Sequence, residues 1–299
     1  MNSTTLVIDA QHLTKRFGKQ NGVSNLELQV IQGETFGFIG PNGAGKTTTI
    51  RMVLGQIRPT SGEVKIFGED AMGQAAHIHR RIGFLSGDME MDTGLTGEQY
   101  LEYITHLRGG QGAQNRMSLA KRLQCDLSKP MGQLSRGNRQ KVGLIAAVMH
   151  APDLLILDEP SSGFDPLIQV EFAKIIEEHK ARGGTALISS HVLSEVQHLC
   201  DRVGLIRQGK MIKVESMARI AKDLFKTVVV QAAHAAVALD ELQNLKGVRG
   251  FKGDGRQAHF EYGGSSNVLL KALAKHEIED ITIQDADLET MFMHYYEGK

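Results

Sequence analysis

Gly40-Pro41-Asn42-Gly43-Ala44-Gly45-Lys46-Thr47-Thr48 is a glycine-rich loop that ends in a lysine and a hydroxyl. It follows a predicted strand, Thr35 to Ile39, and opens a predicted helix. In that setting the glycines let successive backbone N–H groups turn inward, and together with the helix N-terminus they form a concave anion site. Lys46 adds a point charge for the β and γ phosphates of a nucleotide, and the Thr47 hydroxyl is a suitable ligand for Mg²⁺. Leu154-Leu155-Ile156-Leu157-Asp158-Glu159-Pro160 is the second segment with chemistry in it. A buried strand that ends in carboxylates delivers them to the C-terminal edge of an α/β sheet, where such folds bind ligands. There Asp158 would hold Mg²⁺ through water, and Glu159 would polarise the attacking water as general base. Alone, the first segment reads as a turn and the second as a core strand with a polar end; side by side they point to phosphate chemistry.

These segments need a scaffold, and the sequence supplies one. Short apolar strands at Thr35 to Ile39, Arg81 to Leu85, Leu154 to Asp158, Thr185 to Ser189 and Arg202 to Arg207 alternate with amphipathic segments. This alternation predicts an α/β lobe with a mainly parallel sheet. Thr96 to Met149 reads as helical throughout, opening with a capping box at Thr96-Gly97-Glu98-Gln99, so a helical subdomain, about residues 88–150, is inserted into the lobe. Residues 1–215 form the first predicted domain. Residues 216–299 change pattern: strand Thr227 to Gln231, helix His234 to Leu245, strands Val248 to Lys252 and Arg256 to Tyr262 joined at Asp254-Gly255, helix Asn267 to His276, strand Ile281 to Gln284, and a last helix from Leu288. The order β-α-β-β-α-β predicts a small α+β domain of the ferredoxin-like type.

Further segments give the pattern a family likeness. Leu134-Ser135-Arg136-Gly137-Asn138-Arg139-Gln140 resembles the signature sequence of ABC ATPases, although Ser135 alone would read as a helix N-cap. Ser161-Ser162-Gly163-Phe164-Asp165-Pro166 resembles the D-loop of that family, and His191 stands in the place of its switch histidine. With the Walker A and Walker B segments above, five ordered matches make Leu6 to Lys213 resemble an ABC ATPase core: a P-loop NTPase fold that binds ATP and Mg²⁺. The resemblance implies that two cores meet head to tail, as a homodimer or with a homologous subunit. Ser135, Gly137 and Asn138 of one would then grip ATP held by Lys46 of the other, with Asp165 in the D-loop between them. It also implies catalytic roles for Glu159, His191 and Lys46, and an adenine stacked on Phe17, with a core aromatic as the alternative for Phe17.

Two departures stand out. The family places a Gln just after the strand Arg81 to Leu85, where this chain has Gly87; Asp88 is the candidate replacement as a metal ligand. Arg136 takes the place of the first signature glycine, with a side chain expected to point away from the nucleotide. Asp285-Ala286-Asp287-Leu288-Glu289-Thr290-Met291-Phe292 resembles a segment near the end of ATPase subunits of drug-resistance exporters, and also reads as an amphipathic helix capped by Asp287.

Composition narrows the partners. Lys and Arg total 34, as do Asp and Glu, so the chain presents no overall field for nucleic acid or an anionic bilayer. Cys125 and Cys200 lie far apart and fit a reducing compartment. No apolar run approaches the roughly 20 residues a membrane helix needs. The expectation is a cytoplasmic ATPase subunit at the inner face of the cell membrane, associated with it indirectly through a separate integral-membrane permease, and working in export. A soluble ABC ATPase acting on ribosomes or DNA, and an ATP-gated regulator, are the alternatives; the single core and the absence of a long coiled-coil insertion weigh against the first.

Overall fold

The computed structural model describes residues 5–18, 20–87, 93–223, 225–234, 239–254 and 256–285. The chain divides into two compact units, Met1–Met217 and Ala218–Lys299.

In the first unit the order is β1 (Leu6–Phe17), β2 (Gln20–Ile31), β3 (Thr35–Ile39), α1 (Lys46–Val53), β4 (Ser61–Ile66), β5 (Glu69–Asp70), α2 (Ala75–His79) and β6 (Ile82–Leu85). Then come α3 (Gly97–Leu107), α4 (Arg116–Arg122), α5 (Arg136–Val148), β7 (Leu154–Asp158), α6 (Pro166–Ala181), β8 (Thr185–Ser190), α7 (Leu193–Leu199), β9 (Arg202–Arg207) and β10 (Lys210–Ser216). A six-stranded sheet runs β10-β9-β3-β8-β7-β6, parallel from β9 through β6. Every residue of β3, β7 and β8 is buried, as expected of central strands covered on both faces.

A second sheet, β2-β1-β4-β5, is antiparallel. It was not foreseen from the sequence. The inward residues of β1 and β2, among them Ile8, Leu13, Leu26 and Leu28, join Ile50 and Met52 of α1 and Phe36 and Phe38 of β3 in one core. The opposite face of the parallel sheet packs Leu155, Leu157 and Ile188 against α3 to α6.

The helical insertion is not continuous. Gly109, Gly110 and Gly112 adopt positive φ and stop α3, and a stretch with Pro130 and a single 3₁₀ turn at Met131–Gln133 separates α4 from α5. The Thr96 to Gln99 capping box does form, with the hydroxyl and the amide each accepting a backbone N–H. Arg122 on α4 reaches Glu171 and Glu178 on α6, at 2.6 and 2.8 Å, and ties the insertion to the lobe.

In the second unit α8 (Met217–Asp223) is followed by β11 (Lys226–Ala232), β12 (Val248–Gly253), β13 (Gln257–Tyr262), α9 (Ser266–Leu273) and β14 (Ile278–Asp285). The sheet order β12-β13-β11-β14, antiparallel throughout, has the ferredoxin-like arrangement. Between β11 and β12 the expected helix is reduced, among the described residues, to a 3₁₀ turn at Leu239–Asn244. Asp254 closes the β12–β13 hairpin by accepting the N–H groups of Arg256 and Gln257. Gly255 and the C-terminal helix from Leu288 lie outside the described residues.

One half-buried group couples the first unit's packing to pH. Burial, and then the nearby Arg108 guanidinium, push the His150 imidazole down to about 4. Its Nε2 and the Arg108 side chain both donate to the Ile82 carbonyl at the start of β6. Buried His179 is shifted in the same direction. Between about pH 6.5 and the folded value, the unfolded chain binds a proton that the folded chain refuses, so stability falls as pH falls through that window. His150→Gln is expected to flatten this slope in denaturant unfolding compared at about pH 7 and about pH 4.5; an unchanged slope would assign the pH dependence elsewhere.

Candidate functional site

The carboxyl ends of β3, β8 and β7 lie side by side, with Ile39 opposite Ser190 and Asp158 opposite Ser189. The loops leaving these three strands therefore converge on a cavity of about 680 Å³. Pro41 to Thr48 line one wall, with Asp158, Glu159 and His191 facing them.

Gly45 caps α1 at φ 109°, a conformation open to glycine and strained for other residues, and this turn points the start of α1 at the cavity. Lys46 is almost fully buried. Its Nζ donates to the Gly40 carbonyl at 2.6 Å and lies 3.1 Å from Glu159 Oε1, an ion pair without a well-aligned hydrogen bond. The other Glu159 oxygen is 2.5 Å from His191 Nδ1. Glu159 thus sits between two nitrogen groups, one at the start of α1 and one just past β8. The Thr47 hydroxyl donates to Asp158 Oδ2 at 2.8 Å. Ser189, which the sequence reading passed over, donates to Asp158 Oδ1 and accepts the Glu159 backbone N–H. A buried serine inside an apolar strand carries no motif signal, and only the strand register shows it.

At the far end Phe17, half exposed, lies beneath the Lys15 ammonium, 5.4 Å from its ring centroid. It lines the cavity with Gln20, Asn21 and Gly22, so its ring belongs to the cavity wall rather than to the core. Gly87 lines the wall near Asp158, where an added Cβ would come within 3.2 Å of the Asp158 carbonyl oxygen. A Gln here would have to push that backbone aside. Asp88 lies outside the described residues.

The signature segment takes a different position. Ser135 caps α5 by accepting the Asn138 N–H at 3.3 Å, and Ser135, Gly137 and Asn138 are not on the cavity wall. Gly137 packs on the D-loop so closely that a Cβ would fall 2.4 Å from the Gly163 carbonyl oxygen. Gln140 Nε2 donates to the Glu159 carbonyl at 3.2 Å. Arg136 lines the cavity of its own chain together with Ser162. Asp165 caps α6 through Ile168 N, with Pro166 in the first helical position, and does not line the cavity.

The donor set suits Mg²⁺. Thr47 and Asp158 bring a hydroxyl and a carboxylate oxygen together, and Mg²⁺ favours a few hard oxygen ligands completed by water and phosphate. Among the described residues no cluster of three His, Cys, Asp or Glu side chains competes as an all-protein metal site.

Comparison with known proteins agrees with this geometry. A family profile described as ABC transporter matches residues 23–162. The bacitracin transport ATP-binding protein of Bacillus licheniformis is 34% identical over 98% of each chain. The linearmycin resistance ATP-binding protein of Bacillus subtilis is 29% identical, covering 96% of this chain and 97% of its own length. Among solved structures, an ATP-binding subunit of an ABC transporter superposes with a TM-score of 0.67 at 27% identity, over 72% of this chain and 92% of that one. With a relative 34% identical over 98% of each chain and the glycine-rich loop, paired acids and His191 gathered in one cavity, the chain belongs to the ABC transporter ATP-binding proteins, and it is an ATPase.

Proposed function

We propose that this chain hydrolyses ATP in the cavity between α1 and the ends of β7 and β8 to drive export through a separate integral-membrane permease. The observation that carries the site assignment is the placing of Glu159 between Lys46 and His191, beside the Thr47–Asp158 pair. Lys46 and the N–H groups at the start of α1 bind the β and γ phosphates, and Phe17 stacks on adenine. Thr47 and Asp158 hold Mg²⁺, which when bound neutralises charge on the phosphate oxygens. A terminal phosphate competes with Glu159 for Lys46, freeing Glu159 to accept a proton from the attacking water. His191 keeps its hold on the second Glu159 oxygen and orients it.

The positions of Ser135, Gly137 and Asn138 support pairing of two chains. They lie off their own cavity wall, on a surface that can meet the nucleotide of a second copy or a homologous subunit. Asp165 shapes the D-loop between them. Asp88 remains a candidate metal ligand.

Among the described residues no helix is long and apolar enough to cross a membrane, so transport calls for a partner that does. Full-length relatives named for bacitracin transport and linearmycin resistance support export, with the chain held indirectly at the cytoplasmic face. The balanced charge offers no support for a nucleic-acid partner.

Lys46→Ala is expected to abolish ATP binding by calorimetry; unchanged affinity would remove the cavity from consideration. Glu159→Gln should bind ATP as the parent does and lose roughly 10²- to 10⁴-fold in turnover. Substantial residual hydrolysis would place the base elsewhere. With ATP, the Glu159→Gln protein should double its mass in light scattering, and a persistent monomer would argue against head-to-tail pairing. Affinity purification from detergent-solubilised membranes should recover a polytopic partner. Ribosomal or DNA-associated proteins in its place would favour a soluble ABC ATPase.

A further inference from the structure

Ser189 is fully buried near the end of β8, and its single hydroxyl touches both acids at the end of β7. The Oγ–H donates to Asp158 Oδ1, while Oγ accepts the Glu159 backbone N–H at 3.1 Å. The same N–H lies 3.2 Å from the Ser189 carbonyl oxygen, so one residue takes both arms of a forked bond. A serine hydroxyl has one proton to give. With that proton committed to Asp158, only its lone pairs are left for Glu159, and the direction of the network is fixed.

Two features make this arrangement more than ordinary satisfaction of a buried hydroxyl. Glu159 adopts φ 50°, in the left-handed region that residues other than glycine seldom occupy and hold only when their surroundings require it. Its N–H is fastened by Ser189 and its carbonyl by Gln140, so the unusual turn is held on both sides. That turn is what carries the carboxylate back between Lys46 and His191. Asp158, for its part, is almost fully buried and has a hydroxyl on each oxygen, Ser189 on Oδ1 and Thr47 on Oδ2. Ser189 engages Oδ1 from within the sheet and leaves Oδ2 on the side of Thr47.

We propose that Ser189 is a positioning residue for hydrolysis: it selects which Asp158 oxygen is presented with Thr47 for the metal, and it holds Glu159 in the backbone turn that aims its carboxylate. This rests on the assignment of the cavity to ATP and Mg²⁺. Ser189 does not line the cavity, so its removal should spare nucleotide capture and damage the metal-dependent step.

The test compares the full-length protein with Ser189→Ala, Ser189→Cys and Ser189→Thr. ATP affinity is measured by calorimetry in EDTA and in Mg²⁺, together with turnover, KM and the Mg²⁺ concentration for half-maximal rate. Ser189→Ala should bind ATP in EDTA within about twofold of the parent and require more Mg²⁺, and its kcat should fall by about 10²-fold at nearly constant KM. Ser189→Cys, close in volume but a poor donor, should behave like Ala, and Ser189→Thr, which restores a hydroxyl, should recover at least part of the loss. A kcat within about threefold of the parent would overturn the proposal. So would an equal loss of ATP affinity with and without Mg²⁺, which would mark a purely structural role, or a Cys variant with the parent's Mg²⁺ response. Failure of the parent itself to bind ATP would instead reject the cavity assignment, a separate outcome.

Discussion

The register of three parallel strands is the constraint on which the site depends. β3, β8 and β7 are neighbours, paired so that their last residues lie at one level, and this brings a phosphate loop, a histidine turn and two carboxylates within contact of one another. None of these groups is near another in sequence. A slip of one residue in a strand would turn alternate side chains to the opposite face, sending Asp158 or Ser189 into the apolar packing beneath α5 and α6. Asp158, Ser189 and Ser190 end strands that are largely apolar and fully buried, so a slipped register would leave these polar groups buried without their partners.

The polar groups that this register gathers are costly to bury, and the chain meets that cost locally. Lys46 has little access to water, and its charge is balanced by Glu159 and by the loop carbonyl of Gly40. Asp158 is matched by two hydroxyls. The cradle is thus a closed network of complementary partners rather than a set of dangling charges. Under the proposed function a phosphate would enter it by exchanging partners, keeping each group near its working position.

Much of this was legible from the residues. The glycine loop, the acids after an apolar strand, the Thr96 capping box and the Asp254 hairpin are local patterns whose meaning is set within a few positions, and the α/β alternation follows from strand composition. Other features are decided by packing at long range. The antiparallel sheet draws on β1 and β2, whose alternation is interrupted by register shifts between Ala10 and Leu13 and between Leu13 and Lys15. The helical reading carried the apolar face of Tyr100, Leu101, Ile104 and Leu107 on past Gly109, Gly110 and Gly112, where positive φ ends the helix. Ser189 is part of no motif, because its importance comes from the strand beside it. The place of Arg136 on its own cavity wall is decided in a similar way, by how α5 meets the D-loop.

That meeting gives α5 a mechanical character. It has 13 residues, a rod of about 20 Å, and nearly its whole C-terminal half is buried among the helices of the insertion and the parallel sheet. Its N-terminal end abuts Gly163, and Gln140 grips the backbone of Glu159. A packed rod is stiff along its axis and has no slack in which a small movement could be lost. Were the turn carrying Glu159 to shift under the proposed exchange of partners, the Gln140 bond would pass that shift to α5 as a whole. The same bond would then be the point where a chemical event becomes a stroke, delivered at the opposite end of the rod.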